Sequence, residues 1–115
     1  MEPEATEESS ADDVFSATIR RVDSRSIVEI TGELDLTTIE PLRAKLREAI
    51  VEGVDTVELD MTRVTFIDSV NLAVLLAFQV NAPKEGLALV VVAASDEVTR
   101  IVTLAGLADA LLPPP

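Results

Sequence analysis

The residues whose types and spacing point most directly to chemistry are Asp68 and Ser69. They stand between a β-like run, Val64-Thr65-Phe66-Ile67, and an almost uncharged helical run that continues to Asn81. A hydroxyl at such a junction lies at a helix N-terminus, where unpaired backbone N–H groups favour negative charge. Two chemistries fit that position. Either Ser69 or Asp68 serves as the helix N-cap, or the serine hydroxyl accepts a covalently attached anionic group. The local pattern alone does not separate them.

Carboxylates are the other candidates. Asp55, Glu58 and Asp60 lie along one alternating run, and Asp35 ends another. A phosphoryl receiver needs acids clustered at strand ends with a lysine opposite. The two lysines, Lys45 and Lys84, fall on a helical polar face and in a turn, which argues against that class. A carboxylate-only Mg²⁺ site has no motif behind it. The four glycines, Gly32, Gly53, Gly86 and Gly106, stand at the ends of elements, so no phosphate-cradling loop is present. With no His and no Cys, Ser-His-Asp and Cys-His catalysis are excluded, as are disulfides and the usual zinc ligands. The expectation is a chain that is not an enzyme, with no cofactor and no metal.

Charge narrows the partners. The 115 residues carry 21 acids and 9 bases, a formal charge of −12. Nucleic-acid affinity comes mainly from Lys and Arg neutralising phosphates, so a nucleic-acid partner is disfavoured, and anionic membrane surfaces are disfavoured for the same reason. The densest apolar stretches, Leu72–Val80 and Leu87–Ala94, fall far short of the roughly 20 residues that span a bilayer. The N-terminus Met1-Glu2-Pro3-Glu4 is acidic where a secretory leader is basic. These features, with the absence of cysteine, predict a soluble cytoplasmic protein.

The elements that must position the Asp68-Ser69 junction follow from periodicity. Residues 1–13 hold six acids, no base and no large apolar side chain after Met1, which reads as a disordered acidic tail. Without it the charge falls to −6. Residues 14–112 form one domain, and Pro113-Pro114-Pro115 ends regular structure. Val14–Arg20 and Ile27–Thr31 alternate about a polar turn, Asp23-Ser24-Arg25-Ser26, and predict an antiparallel hairpin. A helix follows, capped by Thr37 or Thr38, with apolar residues at Ile39, Leu42, Leu46, Ala49 and Ile50. Val54–Asp60 is a strand, and Met61-Thr62-Arg63 separates it from Val64–Ser69. Leu87–Val92 has the continuous apolar character of a central strand buried on both faces. Ser95-Asp96-Glu97 opens a last helix, with Val98, Ile101, Val102 and Ala105 on its buried stripe. The order β-β-α-β-α-β-α predicts an α/β domain with a mixed, mostly parallel sheet and helices packed on it.

The helix after Ser69 is unusual for a surface helix. Between Val70 and Val80 only Asn71 and Gln79 are polar. Leu72, Leu75, Leu76 and Gln79 form one stripe, while Val70, Ala73, Val74 and Ala77 form a second that is also apolar. Either the rest of the fold covers the second stripe or it is a partner surface.

Several segments together carry a resemblance. Gly32-Glu33-Leu34-Asp35-Leu36-Thr37-Thr38, Val57-Glu58-Leu59-Asp60, Val64-Thr65-Phe66-Ile67-Asp68-Ser69 and Arg100-Ile101 with Leu104-Ala105-Gly106-Leu107 resemble the STAS family, in particular the bacterial anti-sigma factor antagonists. The resemblance spans residues 14–112. It implies a binding protein of transcription regulation and stress response that engages a serine-kinase anti-sigma factor and frees a sigma factor. The kinase would phosphorylate Ser69, and a phosphatase would reset it. The implied partner surface comprises Asp35, Asp68, Ser69, Val70, Asn71, Ala73, Val74 and Ala77. Family members usually continue Asp-Ser with Ser or Thr and then Gly, where this chain has Val70 and Asn71. Asparagine tolerates left-handed backbone geometry, so the turn is expected to survive the change. The competing expectation keeps the fold but makes it a scaffold or nucleotide-sensing regulatory module that acts without phosphorylation.

Overall fold

The computed structural model describes residues 14–113, so the acidic segment 1–13 and the final two prolines lie outside the described residues. Four strands run β1 (Ser16–Val22), β2 (Arg25–Leu34), β3 (Thr56–Ile67) and β4 (Ala88–Ala94). Four helices are α1 (Ile39–Ala49), α2 (Ser69–Asn81), α3 (Asp96–Leu104) and the single turn α4 (Ala108–Leu111). Short 3-10 turns, Leu36–Thr38 and Ala82–Glu85, precede α1 and follow α2. The sheet order is β1-β2-β3-β4. β1 pairs antiparallel with β2, and β2, β3 and β4 are parallel, as the mixed-sheet reading requires.

The hairpin turn is tighter than its polar sequence suggests. Val22 pairs with Arg25, leaving Asp23 and Ser24 as a two-residue loop, and Asp23 adopts φ 56°. Asp is among the few residues that enter the left-handed region at modest cost, which suits a turn matching the strands' twist. At the other end of β2, Gly32 has φ +97°, and a Cβ there would lie 2.3 Å from the Val14 carbonyl oxygen. Only glycine lets the chain entering β1 approach so closely.

One face of the sheet is buried. Val28, Leu59 and Val91 are register partners across β2, β3 and β4, and all three are buried. Over them pack Leu42, Leu46 and Ala49 of α1, Leu72, Val74 and Leu75 of α2, Val98 and Val102 of α3, and Leu111 of α4. The Ser26 hydroxyl, fully buried on β2, donates to the Ala49 carbonyl at 2.7 Å and so satisfies the end of α1. The opposite face is open, and its row runs Arg20, Ile27, Glu58, Val90.

Two strand readings are corrected. β4 is an edge strand, not a central one buried on both faces. Leu89 and Val91 turn inward, while Ala88, Val90 and Val92 are exposed. A continuous apolar run has the same appearance in either place, because it lacks the polar alternation that marks the wet face. The residues Met61-Thr62-Arg63 do not divide two segments either. They belong to one twelve-residue strand whose alternation is interrupted twice, with one extra residue opposite Glu29–Thr31 and another opposite Gly32–Glu33. Such bulges re-aim the side chains that follow. The second brings Ile67 into register with Leu34, which delivers Asp68 beside the end of β2.

Candidate functional site

The site is the corner where β3 passes into α2. The Asp68 N–H donates to the Leu34 carbonyl at 3.0 Å, fixing the end of β3 to the end of β2. Asp68 has extended backbone geometry, and its carboxylate Oδ1 accepts the Asn71 N–H at 2.8 Å. Asp68 is therefore the N-cap. Ser69 is the first helical residue, exposed and outside the cap. Of the two residues that compete for the capping role in the sequence, the one that caps leaves the other's hydroxyl available.

Asn71 joins this corner to a second loop. Its Nδ2 donates to Asp68 Oδ1 at 2.8 Å and to the main-chain carbonyl of Asp35 at 2.9 Å, while its Oδ1 accepts from Thr38 Oγ1 at 3.1 Å. The side chain is fully buried and each of its polar atoms is bonded, as a buried amide requires. The Thr38 hydroxyl lies equally close to the Asp35 carbonyl, at 3.0 Å, so its single proton is shared between two acceptors.

Asp35 organises the loop from its own side. Its Oδ1 accepts from the Thr37 hydroxyl at 2.6 Å and the Thr37 N–H at 2.9 Å, and its N–H donates to Thr38 Oγ1 at 3.1 Å. The Thr37 hydroxyl and then its amide stabilise the charged form, which holds the Asp35 carboxyl below its ordinary value. The reciprocal bonds between Asp35 and Thr38 form a capping box around the 3-10 turn, not at the start of α1. Thr38 stands at the N-cap position of α1 without using its side chain there. The signal for this arrangement is the Asp-x-x-Thr spacing from 35 to 38.

The structure divides the expected partner residues. Asp35, Asp68, Ser69 and Asn71 meet at the corner, and Val70, Ala73 and Ala77 lie exposed along α2. Val74 and Asn71 are corrected. Val74 is 4% exposed and packs in the core with Leu72 and Leu75, because positions 71, 72, 74 and 75 share the inward face at helical spacing. Asn71 is buried too, and its backbone is helical, since the Asp68 cap holds its N–H within the first turn. Both side chains are turned away from solvent. Three exposed apolar residues escape the sequence reading: Val80 extends the α2 stripe, and Leu36 and Phe66 flank Asp35 and Asp68 along the chain. Among the described residues, no helix is long and apolar enough to cross a membrane.

The carboxylates weighed for a metal go elsewhere. Glu58 pairs with Arg25 at 3.2 Å, Asp60 Oδ1 accepts from Thr62, and Asp55 Oδ1 accepts from Thr56.

Residues 17–113 match the family model described as "Mlab, STAS domain". The chain belongs to the STAS domain family. This STAS domain is similar to solved structures of other members. SpoIIAA, an anti-sigma factor antagonist, matches in its unphosphorylated form with a TM-score of 0.69 and 21% identity over 89% of each chain. The phosphorylated form of the Bacillus protein matches with a TM-score of 0.63 and 20% identity over 89% of this chain and 92% of that one. An anti-sigma factor antagonist from Mycobacterium paratuberculosis gives a TM-score of 0.71 and 23% identity over 87% and 85%. A sulfate transporter family protein from Wolinella succinogenes gives 0.65 and 25% over 96% and 82%. These likenesses establish the fold of the STAS domain.

Proposed function

We infer that this STAS domain is an anti-sigma factor antagonist, a binding protein that engages a serine-kinase anti-sigma factor and thereby releases a sigma factor in the cytoplasm. The observation that carries the reading is the exposed Ser69 at the first position of α2, beside Asp68 and continuous with the apolar stripe Val70, Ala73, Ala77 and Val80. A modifiable hydroxyl at the end of a docking stripe is the arrangement a charge-controlled interface needs. The similarity to SpoIIAA in both its unphosphorylated and phosphorylated forms supports it.

The switch follows from electrostatics. In the forward step the γ-phosphoryl group of ATP passes to Ser69 Oγ, the hydroxyl proton passes to a base on the kinase, and ADP leaves. A phosphatase returns the serine by hydrolysis. The phosphate adds about −1.5 to −2 charge beside the Asp68 carboxylate. Burying that charge against a partner without a matching cation costs several kcal/mol. Reversing a binding population from 99:1 to 1:99 needs about 5.5 kcal/mol, a magnitude within reach of one phosphate. The chain itself supplies a substrate hydroxyl and no catalytic group.

A second reading, a scaffold or nucleotide-sensing module acting without phosphorylation, draws on Asn71. Its side chain braces the corner where family members usually have glycine, and Val70 replaces the usual Ser or Thr. Incubation with the cognate kinase and ATP, followed by intact-mass measurement, separates the two. The antagonist reading expects one phosphoryl group on the wild type and none on Ser69→Ala.

A further inference from the structure

At the end of the sheet opposite Ser69, the last turns of α1 and α2, the turn Ala82–Glu85 and the start of β4 line an open cavity of about 540 Å³. Small-molecule sites commonly occupy roughly 300–1,000 Å³ and are mostly apolar with a few placed polar groups. Val57 and Leu89, both buried, form its deep side, and Ile50, Phe78 and Leu87 form its walls. Its mouth carries Arg47 and Lys84, with Glu85 beside them.

Both cations at this mouth are free to meet an anion. Arg25, Arg43, Lys45 and Arg100 each pair with a carboxylate, whereas Arg47 and Lys84, like Arg20, Arg21 and Arg63 elsewhere on the domain, have no such pair among the described residues. Lys84 Nζ donates to Asn81 Oδ1 at 3.2 Å and retains two further protons. The helix ends nearby present carbonyls, which repel anions. Two of these are already occupied, because Arg47 O accepts the Ile50 N–H and Phe78 O accepts the Ala82 N–H. Two cations against the single Glu85 give the mouth a positive balance on a chain with 21 acids and 9 bases.

We propose that this cavity binds a single-chain fatty acid, with the alkyl chain against Phe78 and Leu87 and the carboxylate between Arg47 and Lys84. The cavity shares Ala77 with the α2 stripe but no residue with the Asp68-Ser69 corner, so the assignment rests on the cavity's own lining and not on modification of Ser69. Isothermal titration calorimetry of the full chain with octanoate, decanoate and laurate, each below its aggregation concentration, tests it. Binding strengthens by about threefold to fourfold per added methylene. The double variant Arg47→Gln, Lys84→Gln weakens laurate by about fivefold or more and leaves 1-decanol within about twofold, since only the carboxylate uses the cations. Both substitutions are at exposed positions and leave the core untouched. Absence of laurate binding overturns the assignment, and so does laurate binding that the double variant retains in full.

Discussion

The side-chain amide of Asn71 donates to the main-chain carbonyl of Asp35 across 2.9 Å, linking residues 36 positions apart. The same nitrogen donates to Asp68 Oδ1. One buried side chain thus holds the loop after β2 against the cap of α2, and it fixes the frame from which Ser69 projects. Where a glycine at this position would leave the two loops joined only through backbone, this chain has a cross-brace.

Asn71→Ala is expected to lower stability by about 2 kcal/mol, because it removes the donor to two acceptors and the acceptor of Thr38 in a site that water does not reach. Asn71→Asp is expected to cost more at neutral pH. The near-isosteric carboxylate would set an acceptor against Asp68 Oδ1 and the Asp35 carbonyl, with no proton between them. Urea denaturation of the three proteins checks both the size and the order.

Neighbouring positions on α2 should separate binding from stability. Ala73→Asp falls on the exposed stripe and is expected to cost less than about 1 kcal/mol of stability, while weakening the anti-sigma partner by about tenfold or more. Val74→Asp falls in the core, where an unpaired charge costs about 3 kcal/mol or more. Thermal unfolding and partner titration of each variant test the division. Equal effects at the two positions would contradict the inward and outward assignment.

The frame of the domain is legible in the sequence because its signals are local. The hairpin follows from alternation about Asp23-Ser24-Arg25-Ser26, α1 from the spacing of Leu42, Leu46 and Ala49, and α3 from the Ser95 cap, whose hydroxyl accepts the Val98 N–H. What is not legible depends on partners distant in the chain. Whether Leu87–Val92 is central or at the edge depends on which strands pair with it, and here only β3 does; whether its faces are buried depends on helices that all lie on one side. The unity of β3 is hidden by bulges that break its alternation at Thr62-Arg63 and Thr65-Phe66. At the site, the pair Asp68-Ser69 is visible as a junction, but the direction of Asn71 is set by acceptors on a loop 36 residues away. The uniform apolarity of α2 likewise conceals that Val74 faces in and Ala73 faces out.

Asp35 provides a pH-dependent probe of its loop. Its folded pKa lies below the ordinary value of 3.8, chiefly through the Thr37 hydroxyl and then the Thr37 N–H. Folding therefore favours the ionised form. The stability this contributes is complete above the unfolded pKa and is lost as pH falls through the lower folded value. Thr37→Val removes the hydroxyl and keeps the N–H. Carboxyl NMR titration is expected to show the Asp35 pKa moving up toward 3.8 in that variant, with the amide bond retaining part of the depression.

Gly32 tests the entry to β1. Gly32→Ala places a methyl group 2.3 Å from the Val14 carbonyl oxygen at φ +97°. The expected cost is about 2 kcal/mol, from the left-handed backbone and the displaced chain together. Differential scanning calorimetry measures it, with the equivalent change at Gly53, where a Cβ would have no neighbour within 4 Å, separating the steric part from the backbone part.

The central claim is that charge at Ser69 governs partner binding. It is tested most directly by the dissociation constants of the wild type, Ser69→Ala and Ser69→Glu for a serine-kinase anti-sigma factor that the wild type binds. The account predicts that Ser69→Ala stays within about twofold of the wild type, while Ser69→Glu weakens binding by about 100-fold, as an uncompensated charge in a desolvated interface requires. A Ser69→Glu protein that binds as tightly as the wild type would contradict it.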